Sequence, residues 1–444
     1  MKKIIKALYF SERLYVLVAI NVVLFVLGFM FIELYDVAKI TLFSILLFLS
    51  LDIFILFINS KGINASRDSL NKLSNGDDNL ISLTVENNYL FEIQATLIDE
   101  LPVQFQKRDF QKNFKIKSAE LKVQQYIVRP VERGEYVFGR INVFVKSILG
   151  LVERRFCFEE NKMLPVYPSF IQMRKYELLA ISNRLVQSGI KKIRRIGNTT
   201  EFDQIKEYTA GDDIRTINWK ATARKNRLMV NKYQDEKSQN VYSIIDMGRA
   251  MKMPFEEMAL LDYAINASLV ISNIALLKHD KPGIVTFSNK INSFLPAEKR
   301  GSQMFRIMET LYNQRTNFME SGYESLYAQI KTRITNRSLL LLFTNFETVN
   351  GLRRQLKYIR QIAKNHLLVV IFFENTELKT YLINPAKTTQ EIYYKTIAEK
   401  FEFEKRLITK ELQAYGIQSI YTSPQQLSVK TINKYLELKS RGLV

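Results

Sequence analysis

Leu14 through Ile32 carries no charged side chain and only one strongly polar one, Asn21. At about 1.5 Å per residue, that run is long enough to cross a ~30 Å hydrocarbon core as a helix. A second run, Ile40 through Ile58, follows at once and is broken only by Asp52 and a few hydroxyls. Two such runs in tandem predict a transmembrane hairpin over residues 1–60. A cleaved signal peptide is the alternative for the first run, but no small-x-small site lies around Gly28 to Asp36. Lys2, Lys3, Lys6 and Arg13 precede the first span, and Lys61 and Arg67 follow the second. The connecting segment holds Glu33, Asp36 and Lys39, with no basic excess. Basic flanks stay inside, so both termini are expected in the cytoplasm and the protein in a bacterial inner membrane. Asp52 is costly in lipid and is expected to be protonated, paired or near the interface.

The remaining chain is too long for one ordinary core. Residues 61–79 are polar and read as a linker. From Ile81 the apolar residues alternate, and Phe91–Ile98, Ala119–Val128, Tyr136–Lys146 and Val152–Phe158 continue the pattern between turn residues. No helical period intervenes, so residues 80–168 predict a small antiparallel β-sandwich. Residues 169–239 connect it to a region of different rhythm. There, apolar strands at Val241–Asp246, Gly283–Phe287, Ile291–Leu295, Ser338–Thr344, His366–Phe373 and Gln418–Thr422 alternate with helices. The helices are expected over 256–278, 301–313, 323–333, 352–363 and 389–414, with one more at the end. Residues 240–444 therefore predict a mostly parallel, Rossmann-like sheet covered by helices on both faces, with any ligand at the carboxyl ends of its strands.

Sixty-four Lys and Arg against 44 Asp and Glu give a net charge of +20. That balance suits an anionic inner leaflet, an acidic partner or nucleic acid. The basic residues are scattered rather than set on an aromatic platform, which argues against nucleic acid. Cys157 is the single cysteine, and His279 and His366 are the only histidines, so a zinc site is nearly excluded. The chain has no phosphate-binding glycine loop, no nucleophile elbow and no H-E-x-x-H.

The densest polar stretch lies between Gly197 and Glu236. Glu201, Asp203, Glu207, Asp212 and Asp213 interleave there with Lys206, Arg215, Lys220, Arg224 and Arg227, around the only tryptophan, Trp219. Asp212-Asp213 after Gly211 suits a turn and would cap a helix starting near Ile214. One reading makes Glu207, Asp212 and Asp213 the acid and base of a hydrolase; the other makes the stretch an ion-paired structural segment.

Glu201-Phe202, Glu207-Tyr208, Gly211-Asp212-Asp213, Arg215, Asn218-Trp219-Lys220 and Ala223-Arg224 follow the pattern E-F-x-x-x-R-E-Y-x-x-G-D-D-x-R-x-I-D-W-K-x-x-A-R. The chain thereby resembles the domain-of-unknown-function 58 family. Lys206 and Asn218 depart from that pattern. The resemblance implies a von Willebrand factor A-like C-terminal domain and a MoxR-type AAA+ ATPase partner, in chaperone-like or envelope-maintenance work with other envelope proteins. Glu201, Phe202, Glu207, Tyr208, Gly211, Asp212, Asp213, Arg215, Trp219, Lys220 and Arg224 are then the candidate interaction residues.

The resemblance also implies an adhesion-type metal site, with D-x-S-x-S after the first strand, a Thr from a second loop and an acid from a third. Here the first motif is Asp246-Met247-Gly248-Arg249-Ala250, and Asn345 stands at the third-loop acid. The second loop, near Ser321, offers no Thr. The ligand set reads as degenerate, with Asp246 and Asn345 as its remnants. Asp246 is expected to pair with Arg249 or cap a helix, and neither Mg²⁺ nor another cofactor is expected. The chain thus reads as a non-catalytic membrane-tethered scaffold, with a hydrolase or a binder of anionic lipid or nucleic acid as the alternatives.

Overall fold

The computed structural model describes residues 6–443, apart from 69–70, 108–109, 160, 182–201, 210–211, 213, 234–237, 317–318, 377, 379–381, 383–384 and 387. The chain divides into two compact units, Met1–Tyr167 and Pro168–Val444.

In the first unit, α1 (Glu12–Met30) and α2 (Ile32–Ile58) form an antiparallel hairpin. Both are long and apolar enough to cross a membrane, and most of their surface is exposed apolar side chain. Phe31 leaves the helical region at φ −128° and ψ 108°, which breaks the two helices apart. Gly28 lets the backbones meet, since a Cβ there would lie 2.9 Å from Tyr35 Cα. The one polar residue of the first span is satisfied across the hairpin. Asn21 Nδ2 donates to Ala38 O at 3.1 Å and to Thr41 Oγ1 at 2.5 Å.

The strands of this unit are β1 (Leu8–Phe10), β2 (Ile63–Asp68), β3 (Leu73–Ser74), β4 (Asn79–Asn87), β5 (Ile93–Asp99), β6 (Gln111–Ile116), β7 (Leu121–Val128), β8 (Gly134–Phe138), β9 (Ile141–Lys146), β10 (Val152–Phe158) and β11 (Lys162–Tyr167). They form sheets in the orders β1-β10-β9-β5-β6, β2-β4-β7 and β3-β11-β8, antiparallel except where β3 meets β11. Alternation does the sorting. Ile63 and Ala65, Ile81, Leu83 and Val85, and Ile93, Ala95 and Leu97 all turn inward into one core. The same period carries Arg67 and Asp99 inside, where they pair, with Tyr126 donating to Asp99. Arg67 also lies 4.8 Å from the Phe138 ring.

Residues 61–79 are therefore not a linker: they contribute β2 and β3. Their inward set is too short and too polar to stand out from a loop composition. The single run expected over Tyr136–Lys146 is split between β8 and β9.

In the second unit, α3 (Phe170–Ile181) precedes an antiparallel pair, β12 (Phe202–Glu207) and β13 (Met229–Tyr233), which encloses α4 (Trp219–Lys225). The main sheet holds β14 (Asn240–Asp246), β17 (Lys281–Phe287), β18 (Ile291–Leu295), β19 (Leu339–Phe343), β20 (Leu367–Phe373) and β21 (Gln418–Thr422). Its order is β18-β17-β14-β19-β20-β21, parallel except for β18. Short β15 (Pro254–Phe255) and β16 (Met258–Ala259) precede α5 (Leu260–Leu277). Glu256 and Glu257 between them have positive φ, so the helix begins at Leu260 rather than Glu256.

α5 is apolar on nearly every side and packs on β14 and β17, with α3 laid over it. It is long and apolar enough to be mistaken for a span, yet 83% of its most apolar stretch is buried. α6 (Gln303–Tyr312) also packs on α5. The second core draws on α7 (Tyr323–Arg333), α8 (Val349–Asn365) and α9 (Thr389–Ala414). α10 (Leu427–Ser440) packs on α5.

Candidate functional site

β14 and β19 are neighbours, with Ile245 beside Phe343. From β14 the sheet continues to β17 on one side, and from β19 to β20 on the other. The connections diverge at their carboxyl ends, which opens a crevice there. Asp246 ends β14, and Thr344 follows β19.

Asp246 Oδ1 accepts hydrogen bonds from Gly248 N at 2.8 Å and Ser321 Oγ at 2.6 Å. Its Oδ2 accepts from Thr344 Oγ1 at 2.7 Å, and the Tyr323 hydroxyl lies 2.7 Å from Thr344 Oγ1. The carboxyl is 2% exposed. Burial raises its pKa, and the surrounding donors oppose the rise. The Tyr323 hydroxyl is held well above its ordinary value, by burial first and then by the nearby carboxylate.

These partners correct the expectation that Asp246 pairs with Arg249 or caps a helix. Both oxygens are taken by the Gly248 amide and two hydroxyls. The metal motif calls for a Thr in that loop, but any hydroxyl there can donate, and Ser321 does. The signal was Gly248: a Cβ there would overlap Ser321 Oγ and lie 3.0 Å from Asp246 Oδ1. Ser321 thus fills the volume that the lost hydroxyl side chain would occupy.

The donor set does not fit a divalent cation. Mg²⁺ needs near-octahedral hard oxygens at about 2.0–2.1 Å. Here one buried carboxylate already accepts three hydrogen bonds. Arg249 and Arg354 line the cleft of about 160 Å³ beside it, along with Glu320 and Glu347. Among the described residues, no three His, Cys, Asp or Glu side chains are grouped to hold a metal.

Asn345, the other remnant, faces a cation supplied by the chain itself. Lys405 Nζ on α9 donates to Asn345 Oδ1 at 2.8 Å and to Phe346 O at 2.5 Å. Burial pulls the Lys405 ammonium down to about 8, while Glu347, Glu402 and Glu404 oppose that. It borders an adjacent, largely apolar cavity of about 370 Å³ that Phe255, Phe373, Phe401 and Tyr421 also line. Lys405 was not anticipated, because a lysine in a helical period gives no sign of pointing inward.

The signature stretch is elsewhere in this unit, on the β12–β13 pair. Glu201, Gly211 and Asp213 lie outside the described residues. Phe202 opens β12 opposite Tyr233. Tyr208 N donates to Leu228 O at 2.8 Å. Glu207 pairs with Arg227 at 2.9 Å on the surface. Asp212 accepts from Lys206 Nζ at 2.7 Å, Thr209 N at 2.9 Å and Thr209 Oγ1 at 2.8 Å. The Lys206 bond, helped by Thr209, draws its carboxyl down to about 2. Asp212 therefore closes a turn instead of capping a helix near Ile214. Arg215 falls in a single 3₁₀ turn, Ile214–Thr216. Asn218 caps α4 by accepting from Ala221 N at 3.0 Å. Trp219 is 69% exposed, and Lys220 and Arg224 are exposed with it.

Residues 204–380 match the family described as "Protein of unknown function DUF58". That segment holds most of the signature stretch and also Asp246, Ser321, Thr344 and Asn345, but not Lys405. The chain is also similar to "Uncharacterized protein YeaD" of Bacillus subtilis (strain 168), at 27% identity over 185 residues. The match covers 41% of this chain and 43% of that protein, so it spans less than half the length of that relative. Among solved structures, the PapD-like domain 7 of human CEP192 is 14% identical, with a TM-score of 0.19 over 25% of this chain and 88% of that one. Proximal thread matrix protein 1 of the mussel byssus is 11% identical, with a TM-score of 0.27 over 46% and 47%. At such scores neither likeness bears on fold or function.

Proposed function

We propose that this protein is a non-catalytic, membrane-tethered scaffold whose C-terminal unit is von Willebrand factor A-like and docks a cytoplasmic partner. The observation that carries this reading is the exposed face around α4. Trp219, Ile214 and Leu228 are large apolar side chains open to solvent, and Lys220, Arg224, Lys225 and Arg227 on the same stretch of chain are exposed with them. Tryptophan amid basic residues has the composition of an interface anchor for an acidic partner with an apolar pocket.

The order of the main sheet, with its single antiparallel strand beside β17, supports the von Willebrand-like assignment. The ion-paired state of Glu207 and Asp212 weighs against the hydrolase. The basic flanks of α1 and α2 support an inner-membrane hairpin with both termini in the cytoplasm. The family resemblance points to a MoxR-type AAA+ ATPase as the partner.

The test is co-purification of that ATPase with the detergent-solubilised full chain and with Trp219→Ala. The variant is expected to bind at least about tenfold more weakly, as for an anchor residue, with an unchanged melting temperature. Failure of the wild-type chain to retain the ATPase, or equal retention by Trp219→Ala, refutes the proposal.

A further inference from the structure

Asp52, the one acid within the second apolar run, is fully buried against the β-rich part of its unit. Its Oδ2 accepts from Leu151 N at 2.8 Å and Val152 N at 3.0 Å, and its Oδ1 accepts from Ser147 Oγ. The start of α1 holds the same loop. Ser11 N donates to Leu151 O at 3.0 Å, and Ser11 Oγ donates to Gly150 O at 2.6 Å. The Arg13 guanidinium lies against Gly150, which is left-handed at φ +66°. Two helices thus pin the loop from Ser147 to Leu151 at one height on the hairpin. Between those anchors, Ile148 is 77% exposed, and Leu149 is exposed beside it.

That height can be placed relative to a bilayer. Asp52 is six residues before the end of α2, or roughly 9 Å along its axis. If the hydrocarbon slab is set on the apolar run of α2, Ile40–Ile58, the pinned loop lies about 9 Å inside its edge. If the slab is set on α1, from Leu14 upward, the loop lies at the edge, level with Arg13. Neither placement leaves Ile148 in bulk water. The neighbouring turn repeats the arrangement: Tyr89 OH donates to Leu56 O at 2.8 Å, and Leu90 beside it is 96% exposed. Arg154 Nη1 joins this end by donating to Leu56 O at 2.5 Å and Asn59 O at 2.7 Å.

We infer that the Ser147–Leu151 loop is a lipid-inserting foot, with Ile148 and Leu149 seated at the headgroup–acyl boundary. The occupant of this apolar patch is bilayer lipid, since the loop is held on α2 at Asp52, which exposed Leu51 and Phe54 flank along the helix. The β-rich part then rests on the membrane and does not swing from a flexible tether. The inference depends on the hairpin crossing the bilayer, so the experiment reports on both.

In a Cys157→Ser background, full-length chains with Ile148→Cys, Leu149→Cys, Val23→Cys or Val103→Cys are labelled with an environment-sensitive fluorophore. They are then reconstituted in vesicles of phosphatidylethanolamine and phosphatidylglycerol. Val23 reports the span. Val103 is 85% exposed and follows β5 at the end away from α2. Labels at 148 and 149 are expected to be quenched by lipids carrying a nitroxide near the headgroup. Iodide should quench them at least about fivefold less than at 103, as expected for side chains buried ~5–10 Å into the interface. If the label at 23 responds to lipid nitroxide while those at 148 and 149 respond to iodide as strongly as 103, the foot is refuted. If the label at 23 also ignores lipid nitroxide, the spanning reading fails with it.

Discussion

Gly248→Ser restores one hydroxyl of the lost metal motif, and the structure says it will destabilise the protein. The backbone at Gly248, with φ −69° and ψ 174°, suits any residue, so conformation adds no cost. The cost is steric. The new Cβ overlaps Ser321 Oγ, lies 3.0 Å from Asp246 Oδ1 and lies 3.3 Å from Met319 O. Ser321 can turn away, which loses a charge-assisted hydrogen bond worth about 1.5–3 kcal/mol. Otherwise the loop must shift, at about 1–3 kcal/mol for overpacking. A loss of about 2–3 kcal/mol follows, which lowers a melting temperature by roughly 2–4 °C per kcal/mol in a domain of this size.

Ser321→Ala removes the obstacle and leaves room for a hydroxyl at 248 to reach Asp246. In that background Gly248→Ser should cost less than about 1 kcal/mol, a coupling of more than about 1 kcal/mol between the two sites. Thermal unfolding of the detergent-solubilised full chain and its three variants gives the cycle. Effects that add within about 0.5 kcal/mol would show that Ser321 does not occupy the place of the lost side chain.

Millimolar Mg²⁺ should shift the melting temperature of the wild-type protein by less than about 1 °C relative to EDTA, because a ligand stabilises only a state that binds it; a larger shift would mean that the Asp246 site holds the ion after all. Asp52→Ala leaves the buried Leu151 and Val152 amides without an acceptor, at about 1–3 kcal/mol each, and should accelerate their hydrogen exchange; unchanged protection would mean Asp52 does not pin the loop. Lys405 makes stability depend on alkaline pH. Its folded pKa, about 8, lies below the ordinary 10.5, so between those values the unfolded chain holds more protons and stability rises with pH. The slope attributable to this group approaches about 1.4 kcal/mol per pH unit, measured as the difference between wild type and Lys405→Met in urea unfolding; identical pH dependence of the two refutes it.

Much of this architecture is legible in the chain itself, and the legible parts share one physical origin. The apolar runs at Leu14–Ile32 and Ile40–Ile58 declare two long apolar helices by length alone. Strands such as Leu339–Phe343 and Leu367–Phe373 are continuously apolar because both faces are covered, and α9 occupies residues 389–414 as its period predicts. Periodicity is a local property, so local sequence suffices for it. β2 and β3 are hidden in a polar composition because β2 turns only Ile63, Ala65 and Arg67 inward and β3 adds only Leu73 and Ser74.

The charged residues show where local reading ends. Arg67, Asp52, Asp246 and Lys405 are all buried, and the chain around each one does not show what it will pair with. What each one does depends on a partner far away: Asp99 for Arg67, Leu151 for Asp52, Ser321 and Thr344 for Asp246, and Asn345 for Lys405. Hydrogen-bond satisfaction inside a core is a property of pairs brought together by folding, and no window of sequence contains both members. Sequence alone determined two apolar helices, a β-rich region and an alternating α/β unit. Only the tertiary structure decided that the acid ending β14 is closed by hydroxyls, and that the acid within α2 holds a loop.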